Sequence, residues 1–561
     1  MKMPTFSVVR LNMSVLLALF ATEAAVAQAP TLTTLTPARN TIAATRNTNV
    51  AALFSQPLPP GATLRVFSQQ AGGRKAGTTA ISSNIITFDP ASDFKPGETL
   101  TATLVTNVAN TPHVWQFTAA ATGGSGTFGP GIATSASTGN IEVGDLDNDG
   151  DLDVLSVTTQ AVNIYRNTGT GQLVANGTIS INNLIGIKLA DVDGDGNLDV
   201  LATNVDITTI RCQATLYRNN SAGSFTQGAS TDISNTSQFL SRIATGDVDG
   251  DGDLDLLYSL TAATNQLVVH LNNGLGVFGA PFSQTVVNST VRTVQHLLGD
   301  VDNDGDLDVI SIANDGSGGP SIYLNNGTGV FAAPVSYRAS NYSGGIAIGD
   351  IDNDGDLDLA VPTFEPNSVV NILINNGSGI FAAGPAIAAG SAATTIALGD
   401  LNGDGKLDMA VAGNQISILL NGGNGTFSAN PLVTLSNTQQ DPIILVDIDG
   451  DGDLDITTKG GSTIYISLNQ NIVTSTRVSS ETAFQAWPNP AAASAHLYLT
   501  LPAPVSTAKV RLHTLLGQSV REHVFSGSAT ELPIAGLAKG IYLLTVQPLG
   551  QQPTTRRVVI E

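Results

Sequence analysis

The chain has 561 residues, of which 42% are hydrophobic and only 12% are charged, and it contains 58 glycines. This length is too great for one hydrophobic core, and the apolar content excludes a disordered chain. The formal net charge of −22 excludes a protein that binds nucleic acid by neutralising phosphates. We therefore expect a globular, turn-rich protein of several domains with no nucleic-acid partner.

Residues 1–27 have the pattern of a secretory signal peptide. Lys2 and Arg10 precede the apolar run Val15–Phe20, and Ala25 and Ala27 supply the small residues of a cleavage site. The alternative is a short buried helix. No later apolar run approaches the roughly 18 residues of a membrane-spanning helix, so no transmembrane segment is predicted.

Residues 30–120 predict a separate small β-sandwich. Short segments of alternating apolar residues are separated by Gly/Pro turns, which is typical of antiparallel strands. These segments are Val50–Phe54, Leu64–Phe67, Ile85–Phe88, Leu100–Val105 and Val114–Phe117. The region resembles a bacterial Ig-like domain. The alternative is irregular decoration of the domain that follows.

A nine-residue aspartate motif, D-x-(D/N)-x-D-G-x-x-D, then occurs seven times, with starts 46 to 56 residues apart. We number the copies loops one to seven, and their residues positions 1 to 9. The copies are Asp145–Asp153, Asp191–Asp199, Asp247–Asp255, Asp300–Asp308, Asp350–Asp358, Asp400–Asp408 and Asp447–Asp455.

Short apolar segments surround each motif, so that every repeat contains four predicted strands. Four strands in roughly 50 residues is the unit of a propeller blade, whereas a parallel β-helix repeats at shorter intervals. The sequence therefore predicts an all-β chain with a seven-bladed β-propeller over residues 123–470, flanked by two small β-sandwich domains.

A repeated hairpin with an Asn-Gly-aromatic pattern indicates how the propeller closes. Its copies are Gly124–Phe128, Thr168–Leu173, Asn219–Phe225, Asn272–Phe278, Asn325–Phe331, Asn375–Phe381 and Asn421–Phe427. The first copy precedes loop one, and none follows loop seven. We therefore expect residues near Ser125–Ile132 to supply the missing outer strand of the seventh blade, which removes an exposed sheet edge.

The aspartate loops are candidate calcium sites. Calcium prefers six to eight oxygen ligands, and glycine at position 6 permits the sharp turn of such a loop. The candidate ligands are the side chains at positions 1, 3, 5 and 9 and the backbone carbonyl at position 7. In loops one to three these residues are Asp145, Asp147, Asp149, Asp151, Asp153, Asp191, Asp193, Asp195, Asn197, Asp199, Asp247, Asp249, Asp251, Asp253 and Asp255. In loops four to seven they are Asp300, Asp302, Asp304, Asp306, Asp308, Asp350, Asp352, Asp354, Asp356, Asp358, Asp400, Asn402, Asp404, Lys406, Asp408, Asp447, Asp449, Asp451, Asp453 and Asp455.

Up to seven calcium ions, one per blade, are thus predicted. The loops hold 32 of the 46 acidic residues, and such clusters repel unless a cation offsets them. Loop six has Asn402 and Lys406 in place of aspartates, so it should be the weakest site. Magnesium demands stricter geometry, and the six scattered histidines do not favour zinc. The alternative is a set of acidic turns without metal.

The motif G-D-(L/V/I)-D-(N/G)-D-G-D-L-D, followed downstream by N-N-G-x-G-x-F, resembles the FG-GAP (VCBS-type) repeat over about residues 123–470. This repeat builds the propellers of integrin α-chains and of many bacterial extracellular proteins. The resemblance implies a seven-bladed propeller with structural calcium. It does not imply one activity, because the family includes adhesive, lectin-like and polysaccharide-degrading members.

Residues 484–561 follow a polar linker, residues 471–483, and predict a second small β-sandwich. Their motifs appear in the order Trp487–Pro490, Leu516–Gln518, Gly536–Tyr542 and Arg556–Ile560. This order resembles the type A C-terminal sorting domain of the type IX secretion system. It implies the type IX machinery as a partner, and a product that is secreted or attached to the outer surface.

Three functional hypotheses remain open from the sequence. The first is a binding or adhesion scaffold for an unidentified extracellular glycan or protein. The second is an extracellular polysaccharide-acting enzyme, a lyase or hydrolase, although calcium ligation lowers the pKa that a catalytic acid needs raised. The third is a structural surface protein. Long second-to-third strand connections, among them Thr203–Arg211 and Asn314–Pro320, predict a ligand face away from the calcium loops. The alternative is neutral variation in loop length, since loops tolerate insertions at little cost.

Overall fold

The computed structural model is all-β, and its described residues contain no helix. The described residues are 29–68, 70, 73–106, 113–136, 139–206, 208–209, 211–234, 239–240, 242–261, 266–285, 293–313, 319–337, 345–363, 368–390, 392–423, 425–429, 433, 440–471, 484–491, 496–514, 518–549 and 554–560. The predicted signal peptide and, apart from Asn471, the predicted linker lie outside them. Among these residues no helix is long and apolar enough to cross a membrane.

The chain divides into two compact units, residues 1–471 and 472–561. The first unit begins with a sandwich of two antiparallel sheets, in the orders β1-β2-β5-β4 and β3-β6-β7. Its strands are β1 (Leu32–Thr36), β2 (Val50–Phe54), β3 (Thr63–Ser68), β4 (Gly77–Ser82), β5 (Ile85–Pro90), β6 (Thr99–Val105) and β7 (His113–Thr118). Trp115, Phe54 and Phe117 are almost fully buried in its own core. We call this region the N-terminal sandwich.

The rest of the first unit consists of short strands. They are β8 (Gly124–Phe128), β9 (Ile132–Ser135), β10 (Ile141–Gly144), β11 (Asp153–Val157), β12 (Ala161–Asn167), β13 (Leu173–Ser180), β14 (Leu184–Ala190), β15 (Asp199–Asp206), β16 (Arg211–Asn219), β17 (Phe225–Ser234), β18 (Phe239–Leu240), β19 (Ala244–Gly246), β20 (Asp255–Thr261), β21 (Gln266–His270), β22 (Phe282–Thr285), β23 (Thr293–Gly299), β24 (Asp308–Ala313), β25 (Ser321–Tyr323) and β26 (Val335–Ser336). They continue with β27 (Ala347–Gly349), β28 (Asp358–Pro362), β29 (Val369–Asn375), β30 (Phe381–Ala388), β31 (Thr395–Gly399), β32 (Asp408–Ala412), β33 (Ile416–Asn421), β34 (Phe427–Ala429), β35 (Gln440–Val446), β36 (Asp455–Gly460), β37 (Thr463–Ser467) and β38 (Asn469–Asn471).

These strands pair with their sequence neighbours to form seven antiparallel sheets among the described residues. The sheets are β10–β13, β14–β17, β18–β22, β23–β26, β27–β30, β31–β34 and β35-β36-β37-β9. Buried aliphatic side chains of consecutive sheets pack against each other, as Leu155 packs with Val200 and Ile310 with Leu359. The all-β class and the propeller architecture predicted from the sequence are confirmed, and we call each sheet a blade.

The last blade is completed by a strand from the start of the propeller. Ile132 to Ser135 pair with the strand Thr463–Ser467. This outer strand begins at the end of the predicted segment, Ser125–Ile132. The earlier residues, Gly124–Phe128, pair with β38 instead. Pro130, which has no N–H, and the glycines on either side of it divide the segment into these two strands.

In each blade, an asparagine at or just after the end of the third strand joins the blade to the one before it. We call these residues the hairpin asparagines, and in the last blade the equivalent residue is Asn469, which begins β38 instead of a hairpin. The side-chain amide of Asn375, for example, donates to the carbonyl of Val301 at 2.7 Å. Asn167 of the first blade donates in the same way to Ile448 of the last, at 2.6 Å. The other donors are Asn219, Asn272, Asn325, Asn421 and Asn469. The first and last blades are therefore joined by the same contact as the blades between them.

The second unit contains one five-stranded sheet, with β39-β40-β42-β43 in order and β41 paired to β40. Its strands are β39 (Gln485–Trp487), β40 (His496–Thr514), β41 (Ser519–Pro533), β42 (Gly540–Pro548) and β43 (Thr554–Ile560). Register shifts between Thr500 and Ala508 interrupt the pairing of the two longest strands. Leu497, Val510 and Leu544 lie in its own buried core.

Candidate metal centres

Each aspartate loop connects the first strand of a blade to the second. Position 9 begins the second strand in every blade, as Asp153 begins β11 and Asp455 begins β36. Position 6 is a glycine whose φ lies between 79° and 104° in all seven loops. Only glycine adopts this backbone conformation without strain, which explains its place in the motif. The loops therefore share one tight turn.

The first aspartate of every loop holds this turn through one of its two oxygens. Its Oδ2 accepts the backbone N–H of the position-6 glycine at 2.8 to 3.2 Å. The aspartate at position 5 accepts the N–H of position 7 through its own Oδ1, at 2.8 to 3.2 Å. Each of these bonds engages one oxygen of its carboxylate and leaves the second oxygen for another partner.

Several of those other oxygens are buried and lack a hydrogen-bond partner among the described residues. They include Oδ1 of the position-1 residues Asp145, Asp191, Asp247 and Asp300, and Oδ1 of the position-3 residues Asp147, Asp193 and Asp352. A buried polar atom without a partner is costly, and here such atoms recur at equivalent positions. The repeated feature is a set of acceptors with no donor.

Several of the aspartates that carry an unpartnered oxygen also belong to clusters of carboxylates within their loop. In loops one to five, three aspartates each offer one oxygen within 4.8 Å of the other two, and one further group of potential ligands is present among the described residues. The groups are Asp145, Asp147 and Asp149; Asp191, Asp193 and Asp199; Asp247, Asp249 and Asp251; Asp300, Asp302 and Asp304; and Asp350, Asp352 and Asp358. Clustered hard oxygens are the ligand set that calcium prefers, so the residues fit such an ion.

The position-9 aspartates accept hydrogen bonds that the sequence did not indicate. Each is buried, and its Oδ1 accepts the backbone N–H of the hairpin asparagine at 2.6 to 2.9 Å. In six loops the Oδ2 also accepts the N–H of position 2, at 2.9 to 3.2 Å. Position 9 thus ties the loop to the hairpin of its own blade.

Burial raises the pKa of these carboxyl groups. It raises the pKa of Asp255 to about 9 and the pKa values of Asp199, Asp308 and Asp455 to about 8. Burial also raises the pKa of the position-1 residue Asp247 to about 7. Without a cation, these four position-9 carboxyl groups therefore favour the protonated form near neutral pH, and a bound cation would favour the ionised form.

Among the described residues, basic side chains pair with aspartates of five loops, and only one of these side chains lies within the motif. Lys406 of loop six pairs with Asp404 at 2.8 Å. Arg218 pairs with Asp193 of loop two at 3.0 Å. Arg166, from the third strand of blade one, contacts both Asp147 and Asp153 of loop one. These arginines lie outside the motif, so the sequence pattern did not assign them to a loop.

The N-terminal sandwich covers the face of the propeller that carries the loops. Thr103 donates its hydroxyl to Asp247 at 2.7 Å, and Arg39 forms an ion pair with Asp300. A cavity of about 1150 Å³ lies between the sandwich and the first strands of the blades. The sequence predicted a separate module, and the structure packs that module onto the loops.

The predicted ligand face, formed by the second-to-third strand connections, falls largely outside the described residues. This holds for the connection from Asn314 to Pro320, of which residues 314–318 are not described.

Three family descriptions match the chain. The FG-GAP-like repeat matches residues 145–202, 191–258, 300–361, 364–411 and 400–458. The bacterial Ig-like domain matches residues 26–119, and the secretion system C-terminal sorting domain matches residues 485–561. All three resemblances expected from the sequence are confirmed. The sorting domain indicates type IX export to the cell surface or into the medium.

The solved structures that are similar to this chain include a lectin and a mutant of AofleA. BP39L lectin from Burkholderia pseudomallei shares 13% identity at a TM-score of 0.39, over 62% of this chain and 99% of that one. A triple arginine-to-alanine mutant of AofleA from Arthrobotrys oligospora shares 12% identity at a TM-score of 0.34, over 55% and 94%. No curated protein sequence matches the chain.

Proposed function

We propose that this chain, in which FG-GAP-like repeats lie between a bacterial Ig-like domain and a secretion sorting domain, is an exported calcium-binding propeller that acts as a binding or adhesion scaffold. The observation that carries the calcium assignment is the recurrence of buried, unpartnered carboxylate oxygens at positions 1 and 3 of the loops. Export places the protein where calcium is abundant relative to the cytosol.

One ion per loop, up to seven, would be held by the side chains at positions 1, 3 and 5. Position 9 and the carbonyl of position 7 would complete the set. The seven described blades and the repeated asparagine contacts support a closed seven-bladed ring around these sites. Calcium in the loops would fix the first-to-second strand connections and so stiffen a scaffold that has no disulfide, since Cys212 is the only cysteine.

Calcium titration of the full chain tests this assignment. After metal removal with a chelator, isothermal titration should show several calcium ions bound per chain, with magnesium binding more weakly because it demands octahedral geometry. Elemental analysis of dialysed protein gives an independent count. A chain that stays folded and retains no calcium would contradict the proposal.

The binding role would be carried by surfaces that the N-terminal sandwich leaves open. Because this domain covers the loop face, we propose that the opposite face and the outer strands meet the extracellular glycan or protein. A broad glycan array, probed with the full chain in calcium and again in EDTA, tests the glycan form. Calcium-dependent retention on a defined glycan would support it. The absence of retention from demonstrably folded protein would contradict it and leave a protein ligand.

A further inference from the structure

Four residues of the N-terminal sandwich, and Thr122 just after it, hydrogen-bond the same backbone atom in five of the seven loops. That atom is the carbonyl oxygen of the position-6 glycine, and we call the five carbonyls the glycine carbonyl ring. The pairs are Lys95 Nζ with Gly150 at 2.8 Å, Arg65 Nη1 with Gly252 at 2.7 Å, the Val114 amide with Gly305 at 2.7 Å, Asn40 Nδ2 with Gly355 at 2.9 Å and the Thr122 amide with Gly452 at 2.9 Å. The sandwich is therefore seated on the turns of the metal loops.

The direction of these carbonyls depends on the conformation of the loops. Each one belongs to the residue with positive φ whose N–H is held by the first aspartate. If the carboxylates of a loop repel one another and separate, the glycine turns and its carbonyl is no longer aimed at the sandwich. The ring is thus an interaction surface whose shape follows the state of the loops.

The sandwich also contacts the first aspartate directly in loops two, three and four. The backbone amide of Arg74 donates to Asp191 Oδ2 at 3.0 Å, and the Thr103 hydroxyl donates to Asp247 Oδ2 at 2.7 Å. The Arg39 guanidinium pairs with Oδ2 of Asp300. In each case the donor engages Oδ2, and Oδ1 is left without a partner among the described residues.

These contacts hold the carboxylate through Oδ2 and leave Oδ1 buried and free to accept another partner. Asp191, Asp247 and Asp300 are only 1 to 2% exposed, whereas Asp145, Asp350 and Asp400 are 7 to 8% exposed. A carboxylate removed from water in this way requires a compensating charge or donor. The sandwich supplies a donor to one oxygen, and a cation would satisfy the other.

We propose that the N-terminal sandwich completes the metal sites of loops two, three and four, so that calcium binding and docking of the sandwich on the glycine carbonyl ring stabilise each other. The proposal rests on calcium binding as the proposed function. The coupling is reciprocal by thermodynamic linkage, since a contact that favours the calcium-bound loop must be favoured by calcium in turn.

Two glycine substitutions distinguish a steric clash with the sandwich from backbone strain within the loop. Gly305 and Gly355 occupy position 6 of neighbouring loops and have φ values of 100° and 96°. A Cβ at Gly305 would lie 2.4 Å from His113 Nδ1 of the sandwich, whereas a Cβ at Gly355 would meet no atom within 4 Å. In calcium titrations of the full chain, we expect Gly305→Ala to weaken binding at least about tenfold more than Gly355→Ala. Equal losses in the two variants would overturn the proposal.

Thr103 tests the direct contact with a metal-loop aspartate. Thr103→Val removes the donor to Asp247, and we expect about tenfold weaker binding at one calcium site. Thr103→Ser keeps the hydroxyl and should stay within about threefold of the unmodified chain. The matched control is Thr79→Val, because the hydroxyl of the exposed Thr79 donates to the Leu64 carbonyl within the sandwich, at 3.3 Å. Unchanged affinity in a folded Thr103→Val chain would overturn the proposal.

Hydrogen exchange measures the effect of calcium binding on docking of the sandwich. On calcium removal the amides of Val114 and Thr122, which bond the ring, should exchange faster, while amides in the middle of β6 remain protected. No change in exchange at Val114 and Thr122, or an equal rise in β6, would contradict the coupling of calcium binding to docking of the sandwich.

If the unmodified chain binds no calcium in the titration, the proposed function itself fails. If it binds calcium but the Thr103 and Gly305 variants match their controls, only this inference fails.

Discussion

Loops three and six share a backbone conformation but differ in what surrounds their carboxylates. In both, the first aspartate accepts the N–H of the position-6 glycine at 2.8 Å. In loop three, Thr103 donates to Asp247, and Arg65 pairs with Asp253 at 2.6 Å. In loop six, Asn402 replaces an aspartate, Lys406 pairs with Asp404, and the described residues show no hydrogen bond from the sandwich.

Two properties of a loop, its backbone conformation and its electrostatic environment, have different origins. The nine-residue pattern determines the turn, because the bonds that hold it lie within the loop. The charge and the desolvation of each site depend on neighbours from elsewhere in the chain. We therefore expect loops of one geometry to differ in calcium affinity, with loop three strong and loop six weak.

Removing calcium should have the largest effect, because it acts on strong and weak loops together. Each occupied site stabilises the fold according to its affinity and the free calcium concentration. We expect the midpoint of thermal unfolding to fall by about 10 °C or more in excess EDTA relative to millimolar calcium. Differential scanning calorimetry measures this shift, and replacement of EDTA by calcium should reverse it. Identical midpoints in the two conditions would show that the loops do not hold the metal.

In chelator, stability should fall as the pH rises. The folded pKa values of Asp255, Asp199 and Asp308, at about 9, 8 and 8, are raised by burial above the usual 3.8. A group with a raised folded pKa stabilises the fold fully below its unfolded pKa, and this contribution is lost as pH rises through the folded pKa. Denaturant unfolding in EDTA should therefore show lower stability at pH 9 than at pH 5.5. Saturating calcium should flatten or invert this trend, and the same slope in both conditions would contradict it.

Equivalent substitutions at position 1 compare the two loops directly. Asp247→Asn in loop three should remove one strong calcium site, with a loss of about tenfold or more in its affinity, because ligand charge sets affinity. Asp400→Asn in loop six should leave the strong sites unchanged, since loop six already lacks a carboxylate at position 3. Titration calorimetry resolves strong from weak binding. A greater loss from the loop-six variant would reverse the predicted order.

Adding a carboxylate should bring loop six closer to loop three. Asn402→Asp gives loop six the aspartate that the other six loops carry at position 3, and we expect an increase of about tenfold in the affinity of this site. Asn353→Asp provides the control, because it makes the same charge change at position 4 of loop five, where no ligand is expected. If both variants raise affinity equally, general electrostatics rather than ligation explains the gain.

The smallest effect is expected from the lysine of loop six. The Lys406 side chain is 33% exposed, and surface ion pairs of this kind contribute little. Lys406→Asn, which copies Asn197 at position 7 of loop two, should change calcium affinity by less than about threefold. An increase of tenfold or more in the same titration would show that the lysine competes with the ion.

Much of the fold and of the candidate site could be predicted from the sequence, because its signals are local and repeated. The motif recurs at nearly constant spacing, and the glycine at position 6 is enough to identify the turn. The hairpin asparagine also recurs in the sequence, so its role could have been suspected. Its partner could not be named, since the amide of Asn375 reaches a carbonyl of the preceding blade, 74 residues away.

The sequence by itself determined the repeat, the turn and the oxygen-rich chemistry of the loops. The turn and the carboxylates lie within nine residues, and this nine-residue motif recurs along the chain. The tertiary structure alone decided which loops are covered and by what. Thr103 lies 144 residues from Asp247, and Arg39 lies 261 residues from Asp300. The sequence around Thr103 or Arg39 does not identify its partner, because the contact forms only when the N-terminal sandwich packs against the loops. The packing of the sandwich on the propeller therefore determines the charge and burial around each loop, whereas the motif determines the conformation of the loop.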